Sequence, residues 1–217
     1  QHYDVFYHFS WDKLPNYEMS YHIEENLINE LLFLKKILKL SIDTFIGLGT
    51  CLEYGNLIGA IDERSECIPI TYYGIAKNTI FRFLDLTCSE KNIKFQWFRV
   101  FYVYGNGQRI NSLYPSMNDA ILSNRLVFNM SSGNQIRDFV HINYVAKILS
   151  KSYKSFVGGA INLCSEAPIS VYDFVDSFFK LNNHITRYNR TYYSTPSYEP
   201  FKFWGIKGRV VEIEKLL

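Results

Sequence analysis

Tyr73 and Lys77 have the residue types and the spacing to move a proton. Two residues four apart on a helix share one face. An ammonium beside a phenol favours the phenolate and lowers a pKa that starts near ~10. Such a tyrosine can act as general acid or base at a carbinol or carbonyl oxygen, and the lysine can also hydrogen-bond a ribose. The spacing alone says little, because a chain with 17 Tyr and 14 Lys contains about one such pair by chance. A second pair exists, Tyr198 and Lys202. It spans Pro200, which would sit inside a helix at a cost of ~3 kcal/mol, so it is a bystander. The first pair gains meaning from Thr50, just past the glycine-flanked segment Gly47-Leu48-Gly49 and followed by Tyr54-Gly55. A hydroxyl there could polarise an oxygen held by the same tyrosine.

These residues need elements to hold them. Residues 4–9 form a short apolar run, as a strand covered on both faces would. Residues 21–40 read as an amphipathic helix, with Leu27, Leu31, Leu34 and Leu38 at three- and four-residue steps. Residues 43–48 are a strand, 73–88 a second helix and 94–102 another strand. This βαβαβ order predicts a doubly wound parallel α/β sheet, with ligands at the carboxyl ends of its strands. Beyond Gly105 the texture changes. Helices are expected over 115–122, 143–153 and 171–181, and short strands over 126–130, 136–141 and 159–164. The tail over 189–208 reads as irregular. The sequence thus divides into 1–105, mainly the sheet, and 106–217, mainly a small α+β cap with some segments returning to the sheet.

Composition excludes several functions. Lys plus Arg is 23 against 21 for Asp plus Glu, a net charge of +2. That balance lacks the basic footprint of a nucleic-acid binder. No apolar run reaches the ~18 residues of a membrane span, and no signal peptide is visible. Cys51, Cys67, Cys88 and Cys164 are scattered without zinc spacing. They read as reduced thiols in a cytoplasmic protein, with no metal site expected.

The ordered motifs together resemble the NAD-dependent epimerase/dehydratase family, the extended short-chain dehydrogenase/reductases acting on nucleotide-diphosphate sugars. The segment from Asp4 through Phe9 to Ser10 resembles the family's strand passing under the cofactor, and Asn26 falls where the family has an active-site asparagine. Thr50, Tyr73 and Lys77 match the catalytic set. Arg99-Val100-Phe101-Tyr102-Val103-Tyr104-Gly105 resembles the strand and loop flanking nicotinamide and sugar. Arg137-Asp138-Phe139-Val140-His141 resembles a motif whose arginine contacts the diphosphate, and Ile161-Asn162-Leu163-Cys164 the strand after it. The resemblance implies a Rossmann-like sheet with a substrate-binding cap. It implies NAD or NADP as cofactor, with Phe9, Ser10, Asn26, Tyr73, Lys77 and Phe101 toward it. Glu53, Tyr102 and Arg137 would face the substrate, and a homodimer would form through the helices near 21–40 and 73–88. The expected reaction is 4-keto-sugar reduction or 4-epimerisation.

Two departures qualify it. No Gly-x-x-Gly-x-x-Gly or Gly-x-Gly-x-x-Gly occurs in the chain. In the family that pyrophosphate loop follows the first strand, which implies that roughly two βα units of about 30 residues each lie upstream. A fragment unable to bind the dinucleotide is therefore the competing reading. The second departure is Cys51-Leu52 after Thr50, where the family's 4,6-dehydratases carry Asp-Glu; this argues against a dehydratase. If the strand continues through Cys51, its thiol points away from Thr50 into the core. His8 reads as a structural histidine tethered to backbone. Glu199 could reach the pocket from the tail, though no spacing requires it.

Overall fold

The computed structural model describes residues 2–217. Strand β1 (His2–His8) leads to a helix that opens with π geometry (His22–Leu27) and continues as α1 (Ile28–Ile37). Then come β2 (Ser41–Thr50), a 3₁₀ turn (Cys51–Tyr54), β3 (Gly59–Ile61), α2 (Tyr72–Glu90), β4 (Lys94–Val100) and β5 (Tyr102–Tyr104). The second half adds α3 (Leu113–Leu122), β6 (Val127–Asn129), β7 (Ile136–His141), α4 (Ile142–Ser152), β8 (Gly159–Leu163), β9 (Pro168–Ser170), α5 (Val171–Leu181), β10 (Arg187–Asn189), β11 (Phe203–Gly205) and α6 (Val210–Glu214).

The main sheet has the order β1-β2-β4-β8, parallel throughout, with β8 supplied by the second half of the chain. Its apolar residues occur in consecutive pairs because both faces are covered. Phe45 and Trp97 face one cluster with Leu34, Ile80 and Leu84 from the helices. Their neighbours Ile46 and Phe98 face the opposite cluster with Ile148, Leu163 and Ile213. Each fully buried ring or branched chain of this kind stabilises the fold by roughly 1.5–3 kcal/mol.

Gly47 and Gly49 serve packing. Gly47 pairs with Trp97 across the sheet, and a Cβ on Gly47 would lie 2.6 Å from the indole. A Cβ on Gly49 would strike the indole nitrogen and the Glu53 carboxylate. The two glycines therefore make room for Trp97 beneath the end of β2.

The expected elements form, with three informative differences. The strand expected over 94–102 ends at Val100, and Tyr102–Tyr104 leaves to pair with β7 in a separate sheet that β9 joins antiparallel. The tail is less irregular than its Tyr and Pro content predicted. β11 pairs in parallel with β3, and Lys202 bridges to Ile136. The strand also does not run through Cys51, because the 3₁₀ turn begins there. Among the described residues no helix is long and apolar enough to cross a membrane.

Candidate active site

β2 ends at Thr50, whose extended backbone caps the 3₁₀ turn. Its hydroxyl accepts from the Leu52 amide, and Glu53 accepts from the Thr50 amide in return. α2 starts beside this turn. Thr71 caps it by accepting from the Gly74 amide at 3.0 Å. Gly74 lies so close to the turn that a Cβ would be 2.6 Å from the Leu52 carbonyl oxygen. This close approach brings Tyr73 next to Thr50, and both line a cavity of about 560 Å³ at the carboxyl end of the sheet. Phe101, Tyr102 and Arg137 line the same cavity, joined by Tyr17, Cys51, Gln108 and Glu199.

Lys77 sits one helical turn behind Tyr73 and is fully buried. Its ammonium lies over two indole rings, 4.7 Å from the Trp11 centroid and 5.1 Å from that of Trp97. Burial lowers the Lys77 pKa to about 8, while the Glu53 and Glu30 carboxylates oppose the shift. The Tyr73 hydroxyl is pushed up, first by burial and then by Tyr17, Glu53 and Cys51, against a hydrogen-bonding contribution from Thr50. Lys77 is not what sets the Tyr73 pKa here, contrary to the sequence expectation. The phenol is held neutral.

Glu53 is corrected by its surroundings. Instead of reaching a sugar hydroxyl, it is 0% exposed and stands behind the cavity wall. One carboxylate oxygen accepts from the Trp97 indole and the Thr50 amide, each at 2.9 Å. The other accepts from Arg99 Nε at 2.9 Å. Arg99 also donates to the Tyr54 hydroxyl, which donates to Asn162 at 2.7 Å. Every member of this buried network has a partner, which rigidifies the base of Thr50.

Arg137, 2% exposed, donates to the Pro200 carbonyl at 2.7 Å and to Glu199 at 2.7 Å. Its guanidinium stacks over Tyr102 at 5.1 Å. Asp138, its sequence neighbour, is occupied elsewhere, accepting from Ser165, Glu166 and Gly205. Asn26 does not line the cavity. It donates to the Asp12 carbonyl and packs on His22, whose Nδ1 also faces the Trp11 indole N–H. Protonated His22 would set donor against donor there, and burial lowers its pKa in the same sense. Phe9 and Ser10 are exposed just beyond β1. His8 is tethered to a carboxylate and not to backbone, with Nε2 2.8 Å from Glu30.

Cys51 lines the cavity as well as the core cluster around Tyr54 and Phe203, so the expectation that it turns away from Thr50 fails with the strand. Burial pushes its thiol pKa up. Tyr17 and Gln108 were missed by sequence reasoning. The Tyr17 ring packs tilted against Tyr73 with centroids 5.3 Å apart, and burial pushes its hydroxyl up to about 12. Neither belongs to a recognisable spacing.

Comparison with known proteins identifies the family and the fold. The sequence profile of the NAD dependent epimerase/dehydratase family matches residues 1–164. The chain is 27% identical over 201 residues to a dTDP-6-deoxy-L-talose 4-dehydrogenase (NAD(+)) of Aggregatibacter actinomycetemcomitans, covering 92% of this chain and 74% of that protein. It is 24% identical over 117 residues to a GDP-6-deoxy-D-talose 4-dehydrogenase of the same organism, covering 54% and 39%. In fold it is similar to a UDP-N-acetylglucosamine 4-epimerase from Methanobrevibacter ruminantium M1, with TM-score 0.80, 20% identity and coverage of 95% of this chain and 69% of that one. A UDP-glucuronic acid 4-epimerase from Bacillus cereus, solved with NAD, superposes with TM-score 0.76 at 20% identity, covering 97% and 68%. With a profile match that runs through the main sheet, the 3₁₀ turn and α2, this chain belongs to the NAD dependent epimerase/dehydratase family.

Proposed function

We propose that the chain works as a nucleotide-diphosphate-sugar oxidoreductase at C4 of the sugar. The observation that carries this reading is Thr50 and Tyr73 on one cavity wall, with Lys77 a turn behind and Arg137 on the same cavity. The phenol and the hydroxyl on the cavity wall are donors suited to the nicotinamide end of NAD or NADP, with the Lys77 ammonium buried behind them. No glycine-rich pyrophosphate loop occurs among the residues present. The dinucleotide supplies hydride acceptance or donation when bound.

The protein's own residues handle the proton and the charge. Tyr73, kept neutral by burial, is in the form that donates to a carbonyl oxygen, and it takes the proton back in the oxidative direction. Thr50 hydrogen-bonds the same oxygen while the Glu53 network fixes its backbone. Lys77, one turn further along α2, keeps its ammonium on the Trp11 and Trp97 rings behind Tyr73. Arg137 uses Nη1 on the Ile136 and Pro200 carbonyls and one Nη2 hydrogen on Glu199. Its Nε edge remains for a diphosphate oxygen, the planar geometry guanidinium favours. A neighbouring cavity of about 910 Å³ shares Leu113 and Val171 with the first and gives room for the nucleoside.

The relatives include both 4-dehydrogenases and 4-epimerases, so reduction and epimerisation at C4 are two readings of one residue set. Net oxidation of reduced nicotinamide with a 4-keto sugar supports the reductase; sugar inversion without it supports the epimerase. Tyr73→Phe should abolish either turnover and leave nucleotide-sugar binding largely intact. Turnover retained by that variant would overturn the assignment. A homodimer through α1 and α2 is part of the proposal, supported by the exposed Ile28, Leu32, Ile75 and Leu86 on these helices.

A further inference from the structure

Two buried polar atoms on the cavity wall have no partner among the described residues, the Tyr102 hydroxyl and Gln108 Oε1. Buried polar groups are almost always hydrogen-bonded, so each such orphan calls for an explanation. Gln108 is not free to turn over. Its Nε2 donates to the Val103 carbonyl at 2.8 Å, and a carbonyl can only accept, so the amide oxygen is the atom left over. That oxygen needs a donor. The Tyr102 ring is held in place under the Arg137 guanidinium, and its hydroxyl can give or take a hydrogen bond.

The charge on this wall points the same way. Arg137 is the single Lys or Arg among the cavity-lining residues described, and it is already paired with Glu199 at 2.7 Å. On the proposed function, its remaining N–H edge goes to the diphosphate. A sugar carboxylate would then meet Glu199 and Gln108 Oε1, both acceptors, while the other cation felt at this wall, Arg109 near Tyr17, is solvent-exposed and outside the lining. Sugar hydroxyls supply what each orphan lacks, a donor for Gln108 Oε1 and a partner for the Tyr102 hydroxyl.

We propose that Tyr102, Gln108 and Glu199 form a hydroxyl-reading wall that selects nucleotide sugars with an uncharged ring and turns away uronic acids. This rests on the nucleotide-sugar reading of the site and adds the class of sugar.

Binding measures this without turnover. The full chain, wild type and Tyr102→Phe, is titrated calorimetrically with UDP-glucose, dTDP-glucose, UDP-glucuronic acid and UDP. The wild type should bind one of the glucose nucleotides at least tenfold more tightly than UDP-glucuronic acid. Tyr102→Phe should lose about three- to tenfold in affinity for that glucose nucleotide, the worth of one neutral hydrogen bond. Its affinity for UDP should not change, and its Tm should stay at or above the wild-type value, because the phenyl ring keeps the contact with Arg137. Equal or tighter binding of UDP-glucuronic acid overturns the selectivity. An unchanged glucose-nucleotide affinity in Tyr102→Phe overturns the role of the hydroxyl. A parallel loss of UDP affinity and Tm marks Tyr102 as structural and also overturns it. Failure of the wild type to bind any nucleotide sugar instead overturns the proposed function beneath it.

Discussion

Lys77 is a cation in an apolar place, and the folded chain tolerates it by surrounding it with indole faces. Unfolded, its pKa is the ordinary 10.5; folded, burial holds it at about 8. Between those values the unfolded chain binds more protons, so Lys77 makes the fold more stable as pH rises from about 8 toward 10.5. Lys77→Met removes this dependence. It should stabilise the fold at pH 7 by ~2 kcal/mol while turnover is lost. Urea unfolding of both proteins at pH 7 and pH 10 checks it, and a gap that fails to narrow at high pH would refute the buried-charge account. Tyr73 and Lys77 were legible in the sequence because a helix makes their relation local. Glu53 was misread because its partners Trp97 and Arg99 are 44 and 46 residues away. Arg137 finds Glu199 62 residues on, where no pattern announces it.

At the scale of elements, the junction between the Cys51–Tyr54 turn and α2 sets the distance between Thr50 and Tyr73. Gly74 allows that junction to close. Gly74→Ala suits a helix intrinsically, yet its methyl meets the Leu52 carbonyl and must push the helix start away. Overpacking of this kind costs about 1–3 kcal/mol. Turnover should fall more than stability, since Tyr73 and Thr50 separate; kcat measured beside Tm distinguishes the two effects. A kcat at the wild-type level would show that the junction has slack. The strands and helices of the main sheet were readable from paired apolar residues and helical steps. The turn at Cys51 was not, because alternation alone extends a strand until a cap stops it, and here the cap is the reciprocal Thr50–Glu53 bonding. The pairing of β11 with β3 was hidden for another reason: three residues in a Tyr- and Pro-rich tail carry no period.

For the whole molecule, the chain holds a candidate proton-transfer site and candidate sugar cavities without a glycine-rich pyrophosphate loop. Titration of this 217-residue chain with NADH and NADPH, followed by nicotinamide fluorescence, should therefore show only weak binding, so turnover of the wild type and its variants is read at high dinucleotide concentration, whereas nucleotide sugars bind tightly. Tight binding of either dinucleotide would mean that the pyrophosphate is held by other groups of this chain. The aromatic setting of Lys77 also has an optical side. The chain has three tryptophans, and Trp11 and Trp97 both face that ammonium. Two of the three indole emitters therefore lie beside the lysine proposed for the reaction. Loss of that charge as pH rises should change the field on two of the three emitters, so tryptophan emission followed against pH reads the state of the lysine, and emission that does not change would mean that the ammonium does not act on those rings.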